Sequence, residues 1–290
     1  FHRETLAKEF NMPPMYSRWT GGQLVMYPGD AGPGTEFFVD STNGLDTNSG
    51  VDWENTLATI DAAVNKCTAS NGDKIIVAPF HAENLAADSA VDVDVAGVTV
   101  IGVRFGRHMP TLDATAAAGD FKLAAANCTM QNIRITGGID ATTGVIEVSA
   151  ADCAIIDCEF RDVTGQATDT IITTAGADRL LIDGYNHLGA AAAGANSAIA
   201  LVGADDTEIK NTYFYGNFAV GAIDLRTTLS ARVNIHDCKI WTANAADIAI
   251  VDTITSSTGF VGPNLFIMLA DNAANITTAV TGATFQMIDP

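Results

Sequence analysis

The chain repeats itself. Between about residue 97 and residue 267 it writes seven similar lines: Gly97–Phe105 (GVTVIGVRF), Asn127–Ile135 (NCTMQNIRI), Asp152–Phe160 (DCAIIDCEF), Asp178–Asn186 (DRLLIDGYN), Asp206–Phe214 (DTEIKNTYF), Arg232–Ile240 (RVNIHDCKI) and Thr258–Phe266 (TGFVGPNLF). Their last residues fall 25 to 30 positions apart. A unit this short, made of strand-like pieces, cannot bury its own apolar face and must stack on its neighbours as a solenoid. Apolar and polar residues alternate along each line, the signature of a half-buried strand. One inward column reads Val100, Met130, Ile155, Leu181, Ile209, Ile235. The phase then slips at Gly102, Asn132, Asp157, Asp183, Asn211 and Asp237, and the inward column resumes at Phe105, Ile135, Phe160, Asn186, Phe214, Ile240. Gly, Asn and Asp tolerate left-handed backbone, so a sharp bend joins two strands at every slip. A further strand precedes each line, as at Phe121–Leu123, Val145–Ser149 and Thr170–Thr174, so one coil holds about three short strands and a loop. Leucine-rich repeats lack support because their Leu-x-x-Leu-x-Leu frame is absent, and amphipathic helical repeats fail on period.

Ahead of the coils stand FFVDSTNGLD (Phe37–Asp46), TNSGVDWENTLATIDAAV (Thr47–Val64) and GDKIIVAPFHAEN (Gly72–Asn84). With the repeats, they resemble the right-handed parallel β-helix, the pectate-lyase-like superfold, over about residues 36–290. The resemblance implies an all-β chain: a right-handed, single-stranded parallel β-helix with an N-terminal capping α-helix and an extended N-terminal arm. Three segments follow: residues 1–35 as an arm or docking segment, 36–84 as a lead-in module with the capping helix and first coil, and 85–290 as the coils and a C-terminal cap. Leu57, Ile60, Ala63, Val64 and Cys67 recur at helical spacing, with Asn55 read as the N-cap.

Composition excludes several functions. Fifteen Lys and Arg against 34 Asp and Glu give a net charge of −19, which speaks against a nucleic-acid partner. No apolar run is long enough for a membrane-spanning helix, and no leader of charged start, apolar core and small-residue cleavage site is legible. The five cysteines read as small core residues, with Cys128 and Cys153 the one pair whose stacking would allow a disulfide.

The chemistry written along the outer columns is thin. In the strand before each turn, one outward column reads Lys122, Glu147, Thr173, Ala200, Asp224, Ala249. Glu147 and Asp224 lie three coils apart, roughly 14 Å at the strand spacing, which is too far for a pair of glycosidase carboxylates. No Asp cluster is legible beside Arg161, Arg179 or Arg226, and the histidines are scattered, so the expectation leans away from catalysis. After the slip, an outward stripe reads Arg104, Arg134, Glu159, Tyr185, Tyr213, Lys239, and Arg134, Tyr185 and Tyr213 become candidate partner-binding residues. In the arm, Phe1, Phe10, Tyr16, Trp19 and Tyr27 are candidates for docking, since exposed aromatics are interface material. Asp46, Asn48 and Asp52 form an oxygen-rich loop that suits calcium, although turn chemistry ahead of the capping helix explains it better. No other cofactor is implied.

The lead-in module and the short Ala/Thr/Gly-rich coils resemble bacteriophage β-helix proteins. That resemblance implies a non-enzymatic structural protein of a virus particle, a capsid decoration or tail appendage anchored by its arm to the capsid shell and assembled as a homotrimer. The alternative is a tailspike-like lyase or hydrolase that binds or degrades cell-surface polysaccharide. A second alternative is an extracellular bacterial adhesin.

Overall fold

The bends decide the fold. The computed structural model describes residues 17–20, 23–26, 34–137, 142–162, 167–190, 194–243, 248–268, 280–281 and 285–287. Within it, Asn132, Asp157, Gly184, Asn211 and Asp237 all adopt positive φ, between 51° and 72°. Left-handed backbone costs an ordinary residue about 1–2 kcal/mol. Asn132 offsets that with two hydrogen bonds, its Nδ2 donating to the carbonyls of Gly102 and Arg104 at 2.6 Å each. Asn211 Nδ2 donates to Asp183 Oδ1 of the preceding coil at 2.8 Å.

Three parallel sheets result, so the chain is an all-β parallel solenoid. Sheet I has ten strands, from Glu36–Val39 through Thr129–Gln131 to Phe285–Met287. Sheet II, entered after the bend, has eight, from Ala82–Leu85 to Leu265–Met268. Sheet III, which follows sheet II in each coil, has eight, from Val91–Val93 to Val280–Thr281. Each strand pairs with its counterpart one coil away, as Met130 does with Val100 and Ile155. The core is therefore a set of inward ladders. Sheet I supplies Val100, Met130, Ile155, Ile182, Ile209, Ile235 and Val261, and sheet II supplies Leu112, Ile135, Phe160, Phe214 and Ile240, all buried. Each such side chain contributes about 1.5–3 kcal/mol through burial.

Two registers differ from the sequence reading. Ile155 pairs with Ile182 and Ile156 with Asp183, so the fourth line sits one residue later than its alignment suggested. The turn 174–180 is two residues longer than 149–153, and it places Leu180 and Ile182 inward while Leu181 stays half-buried. A one-residue slip turns every side chain to the other face. Gly184 therefore makes the bend, and His187, not Asn186, fills the inward place. In the first line, Phe105 is 75 % exposed and Leu112 takes its inward position, because a 3-10 turn at Gly106–His108 lengthens the bend.

A second left-handed column stands in the turn before sheet I: Asn127, Asp152, Arg179, Asp206 and Arg232, with φ between 56° and 61°. Arg179 is bidentate to Asp152 at 2.5 and 2.7 Å, and Arg232 to Asp206 at the same distances. The guanidiniums hold both carboxyls below their ordinary range.

One short helix, Ile60–Val64, buries Ile60, Ala63 and Val64 against strands Val91–Val93, Glu36–Val39 and Lys74–Val77. Its N-cap is Thr59, whose Oγ1 accepts from the Ala62 N–H at 3.2 Å; Asn55 instead closes a turn on Asp52. Nearer the N-terminus, Ser17–Thr20 and Gln23–Met26 pair antiparallel. All five cysteines are free. Cys128 and Cys153 stack in register as buried thiols, donating to the carbonyls of Val95 and Ala125.

Candidate functional site

The outer face of sheet II carries the richest chemistry. Its strands run parallel, so each position repeats coil on coil at about 4.8 Å. The first outward column reads Thr111, Arg134, Glu159, Asn186, Tyr213, Lys239, Leu265. The second reads Asp113, Thr136, Arg161, Leu188, Tyr215, Trp241.

The two ends of this face differ. Toward the N-terminus the charges satisfy one another. Arg134 Nε meets Glu159 Oε1 at 2.7 Å, its NH2 donates to the Gly106 carbonyl at 2.7 Å, and Arg161 closes on the same Glu159. Toward the C-terminus the face becomes aromatic. Tyr213, Tyr215 and Trp241 are half-buried, while Lys239 is exposed. Lys239 Nζ lies 5.4 Å from the Tyr213 ring centroid, a cation–π distance. Tyr215 and Trp241 meet edge to face, centroids 5.9 Å apart and planes at 86°. Two adjacent strands thus present a two-by-two platform: Tyr213 and Tyr215 on one, Lys239 and Trp241 on the next. Each ring is locked by a neighbour, so little side-chain freedom remains to be lost on binding.

Of the stripe read from sequence, Tyr213, Glu159 and Lys239 stand where expected. Arg134 holds its column but is only 9 % exposed. Tyr185 does not face outward: the register slip turns it into the core, fully buried, with its hydroxyl 3.1 Å from Thr170 Oγ1. Asn186 takes the outward place, and Thr111 replaces Arg104. Tyr215 and Trp241 were missed, although alternation alone puts them two residues beyond Tyr213 and Lys239 on the same face. Phe1, Phe10, Tyr16 and Tyr27 lie outside the described residues, and so does the Trp19 side chain.

A second cluster belongs to sheet III. Arg226 NH2 meets Asp169 Oδ2 at 2.5 Å, and its NH1 lies 3.5 Å from Asp224 Oδ2. Asp224 is two residues from Arg226 in the sequence, whereas Asp169 lies 57 residues away and is not legible there as a partner. Both carboxyls are buried and each Oδ1 accepts no hydrogen bond. Burial pushes both upward, against the pull of Arg226. Elsewhere on this sheet the outward column holds Lys122 and Glu147, paired at 2.9 Å, and then Ile172 and Val251 in place of Thr173 and Ala249.

The loop read as a calcium candidate is engaged with its own backbone. Asp46 Oδ1 accepts from the N–H groups of Ala58 and Thr59. Asn48 Nδ2 donates to the Thr56 carbonyl, and Asp52 Oδ1 accepts from Glu54 N and Asn55 N. Among the described residues, no group of three or more His, Cys, Asp and Glu side chains is placed to hold a metal ion.

No protein-family model matches the chain, and no curated protein matches it. Among solved structures, a rhamnogalacturonan lyase superposes with a TM-score of 0.51 at 9 % identity, covering 80 % of this chain and 73 % of its own. At that identity the likeness is one of fold. An alginate lyase from Paenibacillus sp. str. FPU-7 matches at 11 % identity over 78 % of this chain and 94 % of its own, but its TM-score of 0.32 carries no argument.

Proposed function

We propose that this protein engages polysaccharide, laying a glycan chain across the outer face of sheet II. The observation that carries the proposal is the platform of Tyr213, Tyr215, Trp241 and Lys239, held on two adjacent strands. A pyranose ring has an apolar C–H face and a hydroxyl rim. Half-buried aromatic rings match the face, and a neighbouring ammonium and Asn186 match the rim. A rhamnogalacturonan lyase among the fold neighbours agrees with a polysaccharide ligand. The test is a glycan array followed by calorimetry on the best ligand. Tyr213→Ala with Trp241→Ala weakens binding at least tenfold while the melting temperature holds. An array on which nothing binds, or equal binding by the double variant, sinks the proposal.

Cleavage is the second reading, favoured by Asp169 and Asp224 around Arg226. Burial favours the protonated form of both, and a protonated carboxyl is a proton donor. Both carboxyls are buried, however, out of reach of a glycan on the surface, so binding is the better-supported reading. Incubation with the bound polysaccharide, followed by ultraviolet absorbance of the C=C bond left by elimination, separates the two. A place on a virus particle is a separate proposal that rests on the sequence resemblance; on such a particle this face would meet cell-surface polysaccharide.

A further inference from the structure

We propose that the hollow at the bend beside Lys239 is a subsite for one neutral sugar residue, so that the protein reads a chain end or a side branch as well as a stretch of backbone. The inference rests on sheet II being a glycan platform. The hollow has a volume of about 330 Å³ and is lined by Asp237, Cys238, Lys239, Pro263, Asn264 and Leu265. That is the small end of the range for ligand sites, the scale of a single ring rather than an oligomer. It continues the platform, because Lys239 lines the hollow and also stands over Tyr213.

The lining divides into three roles. Leu265, 54 % exposed, and Pro263 offer an apolar wall for the C–H face of a ring. Asp237 and Lys239 offer one acceptor and one donor group for hydroxyls. Asp237 uses Oδ2 toward His236 Nδ1 at 2.6 Å, and His236 Nε2 is in turn held by Glu208 Oε1 at 3.1 Å, which fixes the carboxylate and leaves Oδ1 for a ligand. Asn264 is fully used in holding the shape. Its Oδ1 accepts from the Cys238 N–H at 2.8 Å, and its Nδ2 donates to the carbonyls of Ile235 and Gly262 at 3.1 and 3.0 Å. The hollow is therefore preformed, which spares the ordering cost of binding. One carboxylate and one ammonium balance, and in a chain of net charge −19 nothing there favours an anionic ring.

The test uses saturation-transfer NMR with neutral hexoses and their methyl glycosides, run beside glucuronate. Asp237 sits at φ 54°, where Asn is tolerated and Ala is strained, so the pocket variant is Asp237→Asn with Leu265→Ala. The platform variant is Tyr215→Ala with Trp241→Ala. A neutral hexose is expected to give transfer to the wild type and to the platform variant, and at least tenfold weaker binding to the pocket variant. Transfer from no neutral hexose, a preference for glucuronate, or an unchanged signal in the pocket variant overturns the subsite. If oligosaccharide binding falls in the platform variant alone, the platform stands and the subsite fails. If the platform variant binds oligosaccharide like wild type, the platform itself fails.

Discussion

His187 shows what a single buried residue does to the whole. It stacks on Phe160 at 5.1 Å and packs on Phe218 at 5.4 Å, and its Nδ1 lies 3.3 Å from Thr170 Oγ1. Its Nε2 has no partner, and burial pushes the imidazole down to about 3. The unfolded chain takes up that proton near pH 6.5 and the folded chain refuses it, so the stability tied to neutral His187 is whole above pH 6.5 and drains as pH falls toward 3. His187→Phe removes this dependence. Measured by urea unfolding between pH 6 and pH 4, wild-type stability should fall against the variant by about 1.4 kcal/mol per pH unit. Parallel pH profiles would show that His187 does not titrate as described. Arg226 carries a second pH-dependent contribution. Arg226→Met strands Asp169 and Asp224 without a cation and costs about 3–5 kcal/mol near neutrality. Both carboxyls are already raised, so acidification toward the ordinary carboxylate range protonates them and shrinks that loss. A loss that grows on acidification would show that the guanidinium is not what keeps them tolerable. Asp224 stands two residues from Arg226, but nothing local in the sequence announces Asp169, which sits on a strand two coils away.

At the scale of the element, the bends were legible and the register was not fully so. Asn132, Asp157, Asn211 and Asp237 each interrupt a clean alternation, and each proves left-handed. The fourth line failed because Leu180, Leu181 and Ile182 are all apolar, which satisfies either phase. The extra turn residues then decide, and they are visible only in three dimensions. That same ambiguity put Tyr185 on the wrong face and hid the continuity between Glu159, Asn186 and Tyr213. The bends also differ in what they tolerate. Asn132→Ala keeps the left-handed strain and loses two hydrogen bonds, a cost of about 3 kcal/mol. Asp157→Gly relieves strain at an exposed bend and shifts stability by under about 1 kcal/mol. Chemical denaturation of the pair gives the difference, and equal losses would mean that backbone conformation is not the deciding term.

For the whole molecule, stability is a sum over neighbouring coils rather than a property of one central core. Thr129 pairs with Ala154 in the next coil, so deletion of residues 129–153 removes one coil and joins Cys128 to Ala154 in register. Asn127 then faces Arg179 and no like charges meet. The shortened protein is expected to keep its β-rich circular dichroism and melt cooperatively. An aggregated or unfolded product would show that some longer-range contact holds the stack.

The column of Asp152, Arg179, Asp206 and Arg232 sets a condition on any such edit. Charge alternates there from one coil to the next, so the segment has a parity. Loss of the Arg179 coil alone sets Asp152 against Asp206, and a single added copy of any of these coils repeats its own sign. Two coils gained or lost together leave the alternation intact. Inside this column, away from its Asp152 and Arg232 ends, coils can be lost freely only in even steps, and the smallest unit that can be copied without electrostatic penalty is a pair of coils.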